Sequence, residues 1–364
     1  MTLGLTTAGE SHGPALVAIL TGLPAGLAVD RAAVDADLHR RQQGYGRSPR
    51  QQLERDTVEV LAGLRHGRTL GTPLALVVRN RDHKNWEWGM NPWPPEGEPS
   101  GKGTKPVTLP RPGHADLAGV LKYGHDDVRN ALERASARHT AVFVAAGAVA
   151  KALLAQLGIE VSGTVQEIGG ERDDWEAAID AARGDRDTLG RIVEVRASGV
   201  FPGLGSYATR EERLDGRLAA ALMSIQAVKG VEIGAGFALT ELRGSEAHDE
   251  IVRDDRGYHR QTNRAGGIEA GVSNGEEIVV RAAMKPLPTL MRPLQSADLE
   301  TGEAAQALVE RSDVAAVEAL AVVAEACVAF ELARAARDKF GGDALEDFVG
   351  AHRAYLQRIP WSAR

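Results

Sequence analysis

Two histidines of this chain stand in short frames of small and charged residues that suit proton transfer. His12 lies in residues 9–14, Gly-Glu-Ser-His-Gly-Pro, and His114 lies in residues 111–116, Arg-Pro-Gly-His-Ala-Asp. The small residues on either side favour tight turns from which each imidazole can project toward a ligand. Since imidazole changes its charge near neutral pH, either ring could donate a proton there. The alternative is a structural turn histidine whose ring nitrogens are satisfied locally, and the accompanying motifs must decide.

Arginines cluster at three places in a chain whose formal net charge is -7. Arg134 and Arg138 are spaced so that a helix would place them on one face, with Ser136 between them in sequence. Planar guanidinium groups bind carboxylates and phosphates through paired hydrogen bonds, as a pocket for a small anion requires. Codon bias and solvated helix faces explain most of the arginines, and a surface ladder with Glu133 would look similar. The clusters are Arg40, Arg41, Arg47 and Arg50, then Arg111, then Arg129, Arg134 and Arg138.

Four glycine-rich pieces could bring backbone amides close to an anion or a flavin ring. None has the glycine spacing of a dinucleotide fold, or of a phosphate-binding loop followed by Lys and Ser or Thr. Lys285 and Thr289, in Met-Lys-Pro-Leu-Pro-Thr, are suited to contact a phosphate. Taken alone, each loop is an ordinary turn, and Asp313 of Arg-Ser-Asp at 311–313 is an ordinary helix cap. The glycine-rich pieces are residues 22–26, 203–205, 230–236 and 266–275.

The composition indicates a soluble globular protein rather than a membrane or nucleic-acid-binding protein. The 364 residues are 43% hydrophobic, and no run of about 18 apolar residues occurs. No basic and apolar leader follows Met1, so we expect a cytoplasmic protein. The negative net charge argues against a general nucleic-acid or anionic-membrane surface. The single cysteine, Cys327, excludes a disulfide framework and a cysteine-rich metal site, and we predict no metal and a buried helical cysteine.

The elements that must position these residues alternate irregularly between strand and helix, which predicts one mixed α/β body without a repeat or a domain boundary. Asp30 caps a predicted helix that runs to Arg41 and ends at Gly44. Residues 81–112 are rich in Pro and Gly yet hold three tryptophans, so a covering loop and a disordered insertion are equally supported. Strands are predicted at 16–20, 58–61, 74–78, 160–165, 192–195, 231–239 and 278–283. Further helices are predicted at 127–157, the longest, with Gly158 as its stop, at 214–223, and at 314–337, where the chain closes.

Eight motifs occur in an order that resembles the chorismate synthase family, and the match covers nearly the whole chain. Each motif alone would be weak, so the resemblance depends on their joint occurrence. The motifs are residues 9–14, Arg41-x5-Arg47-x2-Arg50, residues 111–116, 134–138, 226–232, 266–275, 285–289 and 311–313.

The resemblance implies a mixed α+β fold, a single large β-α-β sandwich-like domain over residues 1–364. It implies a lyase of the shikimate pathway, in aromatic amino-acid biosynthesis, that converts 5-enolpyruvylshikimate 3-phosphate to chorismate and phosphate by a 1,4-anti elimination. Reduced FMN is required for this reaction yet not consumed. A homotetramer and an external flavin reductase or other source of reduced flavin are also expected.

The resemblance also assigns residues to roles. His114 would protonate the departing phosphate, and His12 with Asp313 would handle protons at the flavin. Substrate binding falls to Arg41, Arg47, Arg50, Arg111 and Arg138, with Arg311 matching a further oxyanion position. FMN binding falls to Arg134, Ala135, Ser136, Gln226, Ala227, Ala270, Lys285, Pro286, Leu287, Pro288, Thr289 and Arg311. Two positions depart from the family: Ala270 stands where Gly is usual, which could shift a flavin-contacting loop, and Ala315 where Cys is usual.

Other classes of protein remain open at this point. A flavin oxidoreductase would need a nicotinamide site, and no dinucleotide fingerprint is visible. Some members of the family reduce their own FMN with NADPH, and Arg41 and Arg47 would then contact the nicotinamide; the chain has no large insertion to support this. A non-catalytic RNA binder would use the arginine clusters, but aromatic residues make up only 4% of the chain and both histidines would be unexplained.

Overall fold

The computed structural model describes residues 2–45, 55–255, 257–309, 314 and 317–359. Within them, the first of two four-stranded antiparallel sheets consists of β1 (Gly4–Ala8), β2 (Ala15–Thr21), β3 (Val58–Ala62) and β4 (Leu74–Arg79), in the order β1-β2-β4-β3. Leu16, Ala18 and Leu20 alternate along β2 and are almost fully buried. This period of two turns one face of the sheet to the core.

The second sheet repeats this arrangement with strands that lie between residues 160 and 284. It consists of β5 (Glu160–Ile168), β6 (Arg191–Ser198), β7 (Val228–Ile233) and β8 (Ile278–Met284), in the order β5-β6-β8-β7. Every neighbouring pair is antiparallel. Val193, Val195 and Ala197 on β6 and Ile278, Val280 and Ala282 on β8 form its buried face.

Helices connect the strands, and some of them pack between the two sheets. They are α1 (Arg31–Gln42), α2 (Asp116–Tyr123), α3 (Arg129–Ala135), α4 (Thr140–Ala155), α5 (Trp175–Gly184), α6 (Leu214–Met223), α7 (Gly244–Ala247), α8 (Val317–Phe340) and α9 (Leu345–Arg358). Helix α4 contacts β2, β4 and α8, while α8 contacts β5 and β6. A Cβ added to Gly147 would lie 2.3 Å from the Cβ of Ala326, so glycine permits the close approach of α4 and α8. One apolar core therefore joins both sheets, and the mixed α/β prediction is confirmed.

Short elements connect these layers. In the part of the chain that the structure describes, 3-10 helices cover Arg81–Asn85, Ala137–His139 and Gly236–Glu241. Small two-stranded ribbons pair Leu64–Arg65 with Arg68–Thr69, Ile251–Asp254 with Gly257–Arg260, Ile268–Glu269 with Val272–Ser273, and Gln295–Ala297 with Ala304–Gln306.

Most predicted elements are present, but three predictions were wrong. The helix expected at 127–157 is broken at Ser136, whose ψ of 141° is extended, and α8 with 24 residues is longer than either part. The strand expected at 231–239 stops at Ile233, because Gly234 takes a positive φ of 59° and the chain then forms a 3-10 helix. The chain does not close at 337, since α8 runs to Phe340 and α9 follows.

Taken together, α3, the 3-10 helix that follows it and α4 have the length and composition of a membrane span. Among the described residues this stretch covers Arg129–Ala155, and 72% of its apolar window is buried inside the fold. Burial by α8 and the first sheet accounts for the apolar composition, as in the central helix of a globular core.

Candidate active site

His12 sits in the turn between β1 and β2 and is enclosed on several sides. Its Nδ1 lies 2.9 Å from Oε1 of Glu133, and its backbone N–H donates to Oε2 at 2.9 Å. The ring stacks on Trp86 with the centroids 4.0 Å apart, and the guanidinium of Arg129 lies 5.0 Å from the Trp86 ring. Glu133 is only 2% exposed, so its charge needs partners. His12 and Arg129 are these partners, with Nη1 of Arg129 3.5 Å from Oε1 of Glu133.

Asn80, directly after β4, fixes the shape of this turn. Its side-chain amide donates to the carbonyl oxygens of Glu10 and Gly13, at 3.0 and 2.8 Å. Gly9 has a φ of 113°, and a Cβ there would lie 2.5 Å from the backbone oxygen of Ala15. The turn therefore needs glycine, as the small-residue frame around His12 predicts.

The same asparagine ties the His12 turn to two of the predicted substrate-binding arginines. Its Oδ1 accepts a hydrogen bond from Nε of Arg138 at 2.9 Å, and Arg138 also donates to both oxygens of Asp56, at 2.5 and 2.8 Å. Asp56 is 5% exposed. Arg41 lies 3.7 Å from the same carboxylate and donates through Nε to Thr140 at 2.9 Å. Arg41 and Arg138 are thus held together around one buried carboxylate.

Arg134 and Ser136 complete this first group of site residues. The hydroxyl of Ser136 donates to that of Ser11 at 3.2 Å. The guanidinium of Arg134 donates to the backbone oxygen of Thr7 at 3.3 Å and contacts the ring of His139. The structure therefore brings together His12, Arg41, Arg134, Ser136 and Arg138.

His114 belongs to a second group, at the start of α2. Asp116 is fully buried and accepts hydrogen bonds from the backbone N–H of Arg111 at 3.0 Å and from its Nε at 2.8 Å. Nδ1 of His114 contacts the other oxygen of the same carboxylate. Burial alone would raise the pKa of Asp116, but the hydrogen bonds from His114 and Arg111 and the charge of Arg111 outweigh it and hold that pKa far below its usual range. One ionised carboxylate therefore orients both an imidazole and a guanidinium.

The segment 285–289 lies against the His114 turn. Nζ of Lys285 donates to the backbone oxygen of Gly113, and Nη1 of Arg111 lies 3.4 Å from the hydroxyl of Thr289. Thr188 donates to the backbone oxygen of Leu287 at 2.8 Å, which fixes the segment from the other side. Pro286 and Pro288 flank Leu287, and proline restricts the backbone between the two anchored ends.

The remaining predicted flavin contacts stand in unusual local environments. Oε1 of Gln226 is buried and has no hydrogen-bond partner among the residues that the structure describes. Ala227 and Ala270 have positive φ angles of 67° and 51°, a region that costs a non-glycine residue about 1 kcal/mol. The backbone oxygen of Ala227 accepts from the N–H of Lys285 at 3.0 Å, which joins 226–227 to the second group. Ala270 turns a hairpin whose Gly271 accepts from the start of α6.

Several predicted site residues lie outside the described part of the chain. These are Arg47, Arg50, Arg311 and Asp313, and with them the family departure at Ala315. Ala135 is described and ends α3.

Sequence reasoning missed several residues that hold the site together. The sequence alone suggests Glu133 only as a partner in a surface ladder, yet the residue is buried and binds His12. Its spacing of one helical turn from Arg129 was the available signal. Asp56 and Asn80 stand at strand ends without any motif around them, so nothing local marked them. Trp86 lay in the segment 81–112, and its contact with His12 favours a covering loop over a disordered insertion.

Fold and site together define a class of protein. Two histidines, each paired with a buried carboxylate and surrounded by guanidinium groups, suit an enzyme that moves protons on a small anionic substrate. No group of His, Cys, Asp and Glu in the described ranges could hold a metal ion.

Comparison with known proteins narrows this class to one family. The sequence model described as chorismate synthase matches residues 3–336. The chorismate synthase of Desulforudis audaxviator is 54% identical, with 97% of each chain covered. That of Rubrobacter xylanophilus is 53% identical, covering 100% of this chain and 99% of the relative. A solved structure titled "Crystal Structure of Chorismate Synthase" superposes with a TM-score of 0.79 at 37% identity, covering 99% of this chain and 98% of that one.

The chain belongs to the chorismate synthase family. The predictions of the family, the mixed α/β fold and a lyase of the shikimate pathway are confirmed by these matches.

Proposed function

We propose that this chain converts 5-enolpyruvylshikimate 3-phosphate to chorismate and phosphate by 1,4-anti elimination, with reduced FMN as a cofactor that is not consumed. The observation that carries the proposal is the buried unit of Arg111, Asp116 and His114 next to Lys285. An acid, a guanidinium and an ammonium side by side match the needs of a departing phosphate, which requires a proton and cations.

His114 is the proposed general acid. Asp116 accepts a hydrogen bond from Nδ1 of His114, so the proton that is transferred leaves from Nε2. The elimination breaks a C–O bond to phosphate and a C–H bond on the substrate ring. The electron pair of the C–H bond enters the new diene as the phosphate leaves with the C–O pair, and the ring proton is released to the side of the site where His12 and Asp313 are proposed to hold it. Protonation of the leaving oxygen by His114 lowers the charge that Arg111 and Lys285 must stabilise. Asp116 is a positioning residue here, since it holds both Arg111 and His114.

The residues predicted to hold FMN fit such a group in three respects. Oε1 of Gln226 is a buried acceptor without a partner in the described residues, as a ring N–H donor would require. Among the described residues, the charged groups of Arg134 and Lys285 form hydrogen bonds only with neutral groups. Their positive charge is therefore available to a phosphate. The positive φ of Ala227 turns the backbone at the position next to Gln226. When bound, reduced FMN supplies electron density to the carbon that loses phosphate.

His12 is proposed to hold a proton close to this cofactor, together with Asp313. Glu133 accepts from Nδ1 of His12, so His12 exchanges its proton at Nε2. Trp86 covers one face of the imidazole and leaves His12 only 9% exposed. The loop 81–112 thereby keeps bulk water from the ring, which strengthens the interactions of the site.

The predicted FMN contacts divide between the two groups of site residues. Arg134, Ala135 and Ser136 belong to the first group, Gln226, Ala227 and 285–289 to the second, and Ala270 to the hairpin beside α6. Arg311 is proposed to contribute a further cation. Arg47 and Arg50, with Arg41, Arg111 and Arg138, are proposed to bind the carboxylates and phosphate of the substrate.

We further propose a cytoplasmic homotetramer that receives reduced FMN from an external reductase. The family resemblance and the absence of a dinucleotide fingerprint in the sequence support these points. Helix α2 supports association, because Leu117, Leu121 and Tyr123 are 45%, 73% and 67% exposed on a single chain.

An anaerobic assay tests the proposed function. Phosphate release from the enolpyruvyl substrate is followed with dithionite-reduced FMN, with oxidised FMN and without flavin. We expect turnover only with reduced FMN. Turnover that needs no flavin would contradict the cofactor, and no phosphate release under any condition would contradict the reaction.

A further inference from the structure

A third histidine, His139, lies in the site without a role in the proposed reaction. It ends the short 3-10 helix between α3 and α4 and is 3% exposed. The edge of its ring meets Phe143, with the ring centroids 5.0 Å apart. A histidine so deeply buried next to a predicted ligand-binding arginine requires a physical explanation.

The hydrogen bonds of His139 determine its tautomer. Nη1 of Arg134 contacts Nδ1, and a guanidinium can only donate, so Nδ1 must be the acceptor. The hydrogen therefore resides on Nε2, which donates to the hydroxyl oxygen of Thr7 at 2.8 Å. The second terminal nitrogen of Arg134 donates to the Thr7 backbone oxygen at 3.3 Å. Thr7, His139 and Arg134 thus form a closed cluster, in which Nδ1 can accept from Arg134 only while the imidazole is neutral.

The surroundings keep the imidazole neutral. Burial lowers the pKa of His139 to about 4, and the positive charges of Arg134 and Arg41 contribute in the same direction. At neutral pH the ring is therefore an uncharged acceptor. Arg134 itself is exposed, so its guanidinium is held on one side by a buried neutral group while the side chain stays open to solvent.

We propose that His139 is a positioning residue that holds the Arg134 guanidinium through a neutral acceptor, so that Arg134 keeps its full charge for the phosphate group of the flavin nucleotide. This rests on the proposed function, in which Arg134 contacts FMN. A carboxylate at position 139 would orient Arg134 equally well but cancel its charge. An apolar side chain would leave the charge but not the orientation.

A matched pair of variants separates charge from shape. His139→Asn and His139→Asp have side chains of equal size, both can accept from Arg134, and only the second is negative. We measure the dissociation constants of oxidised FMN and of riboflavin, which lacks the phosphate. His139→Asn should keep the preference for FMN over riboflavin within about threefold, whereas His139→Asp should reduce that preference about tenfold, the cost of one charge-assisted contact.

The control is His352→Asn, because His352 is a comparably buried histidine in α9, packed against Phe201 and Phe340. It should leave the FMN preference unchanged. An equal effect of Asn and Asp at position 139, or a loss of riboflavin binding as large as that of FMN binding, would overturn the proposal in favour of a structural role.

Nitrogen NMR of the wild-type protein tests the same proposal without a variant. The expected spectrum shows His139 with the hydrogen on Nε2 from pH 5 upward, and the opposite tautomer or an imidazolium at pH 7 would contradict it. Neither binding nor NMR requires turnover. If the wild-type protein fails the anaerobic phosphate-release assay, the proposed function is contradicted, but the binding and NMR results still test the role of His139.

Discussion

Two groups of charged residues in this fold are built in opposite ways. Between α1, α4 and α8, Glu325 is 2% exposed and accepts from Arg40 at 2.9 Å, from Lys151 at 2.7 Å and from the backbone N–H of Gly163 at 2.9 Å. Asp37 pairs with the same two cations. Two carboxylates thus balance two cations. Although burial would raise the pKa of Glu325, its bonds to Arg40 and Lys151 outweigh this and hold the pKa below its usual value.

The site distributes its charges differently. Lys285 donates to a backbone oxygen, and Arg134 binds a backbone oxygen, a hydroxyl and a neutral imidazole. Among the described residues no carboxylate pairs with either cation. The single carboxylate of Asp56 pairs with two arginines, Arg41 and Arg138, so positive charge is in excess there as well. The comparison teaches that a balanced cluster joins helices, whereas cations left with neutral partners can bind an anion from solution.

The largest effect is expected at His114. His114→Ala should lower turnover about 10² to 10⁴-fold, because the departing phosphate loses its proton donor. FMN binding should change little, whereas the free energy of unfolding should fall by about 1 to 2 kcal/mol because buried Asp116 loses one hydrogen bond, so turnover is compared on the folded variant. The control is His125→Ala, because the His125 ring stacks on Tyr123 and belongs to neither group of site residues. Turnover by His114→Ala equal to wild type at saturating substrate would refute the assignment.

Glu325→Gln should mainly lower stability and leave turnover unchanged, whereas His114→Ala mainly lowers turnover. Removing one carboxylate leaves Arg40 and Lys151 with incomplete charge compensation, so the free energy of unfolding should fall by about 3 kcal/mol. This loss of stability is measured as the shift in the urea concentration at which half of the protein is unfolded, provided that the m-value does not change. Turnover of the folded variant should be retained. Glu59→Gln is the control, because its pair with Arg79 is exposed and should contribute little. An unchanged midpoint in Glu325→Gln would remove the distinction between the clusters.

The contribution of Asp116 to the free energy of unfolding should depend on pH. Its pKa is lower in the folded than in the unfolded protein, so the carboxylate stabilises the fold above about pH 4, and that contribution is lost as pH falls further. Asp116→Asn should cost about 2 kcal/mol at pH 7. The difference from wild type should shrink between about pH 4 and pH 2. Urea unfolding at several pH values measures it, and a difference that grows on acidification would contradict the sign.

The smallest effect is expected at Trp86. Trp86→Ala uncovers one face of His12 and should lower turnover about tenfold, because water reaches the proton-exchanging ring. Trp93→Ala is the matched control in the same loop, since Trp93 is 77% exposed. Equal turnover of the two variants would show that the loop 81–112 does not shield the site.

Strong local signals made much of the fold predictable. Helix α6 lies where its apolar period places it, and the Asp30 cap of α1 accepts from the N–H of Ala32. The failure at Ser136 has a physical cause, since its hydroxyl accepts from Arg138 and offers the backbone an alternative to helix. The spacing of apolar residues in the sequence contains no signal for this break in the helix.

The site was predictable only where a motif carried it. His12 and His114 stand in frames of small residues, and the structure shows both next to buried carboxylates. Asp56 and Glu133 bind their partners across long sequence separations, so single-sequence reasoning had no signal for those contacts. His139 follows Arg138 directly, yet its importance comes from burial against Thr7 and Arg134, which only the fold creates.

The central claim, a redox-neutral elimination, is tested most directly by its stoichiometry. Reduced FMN is supplied below the enzyme concentration under strict anaerobiosis, and chorismate and the reduced-flavin absorbance are followed together. The account predicts many chorismates per reduced FMN, with the absorbance restored after turnover. One oxidised FMN for each product would contradict it and establish an ordinary oxidoreductase.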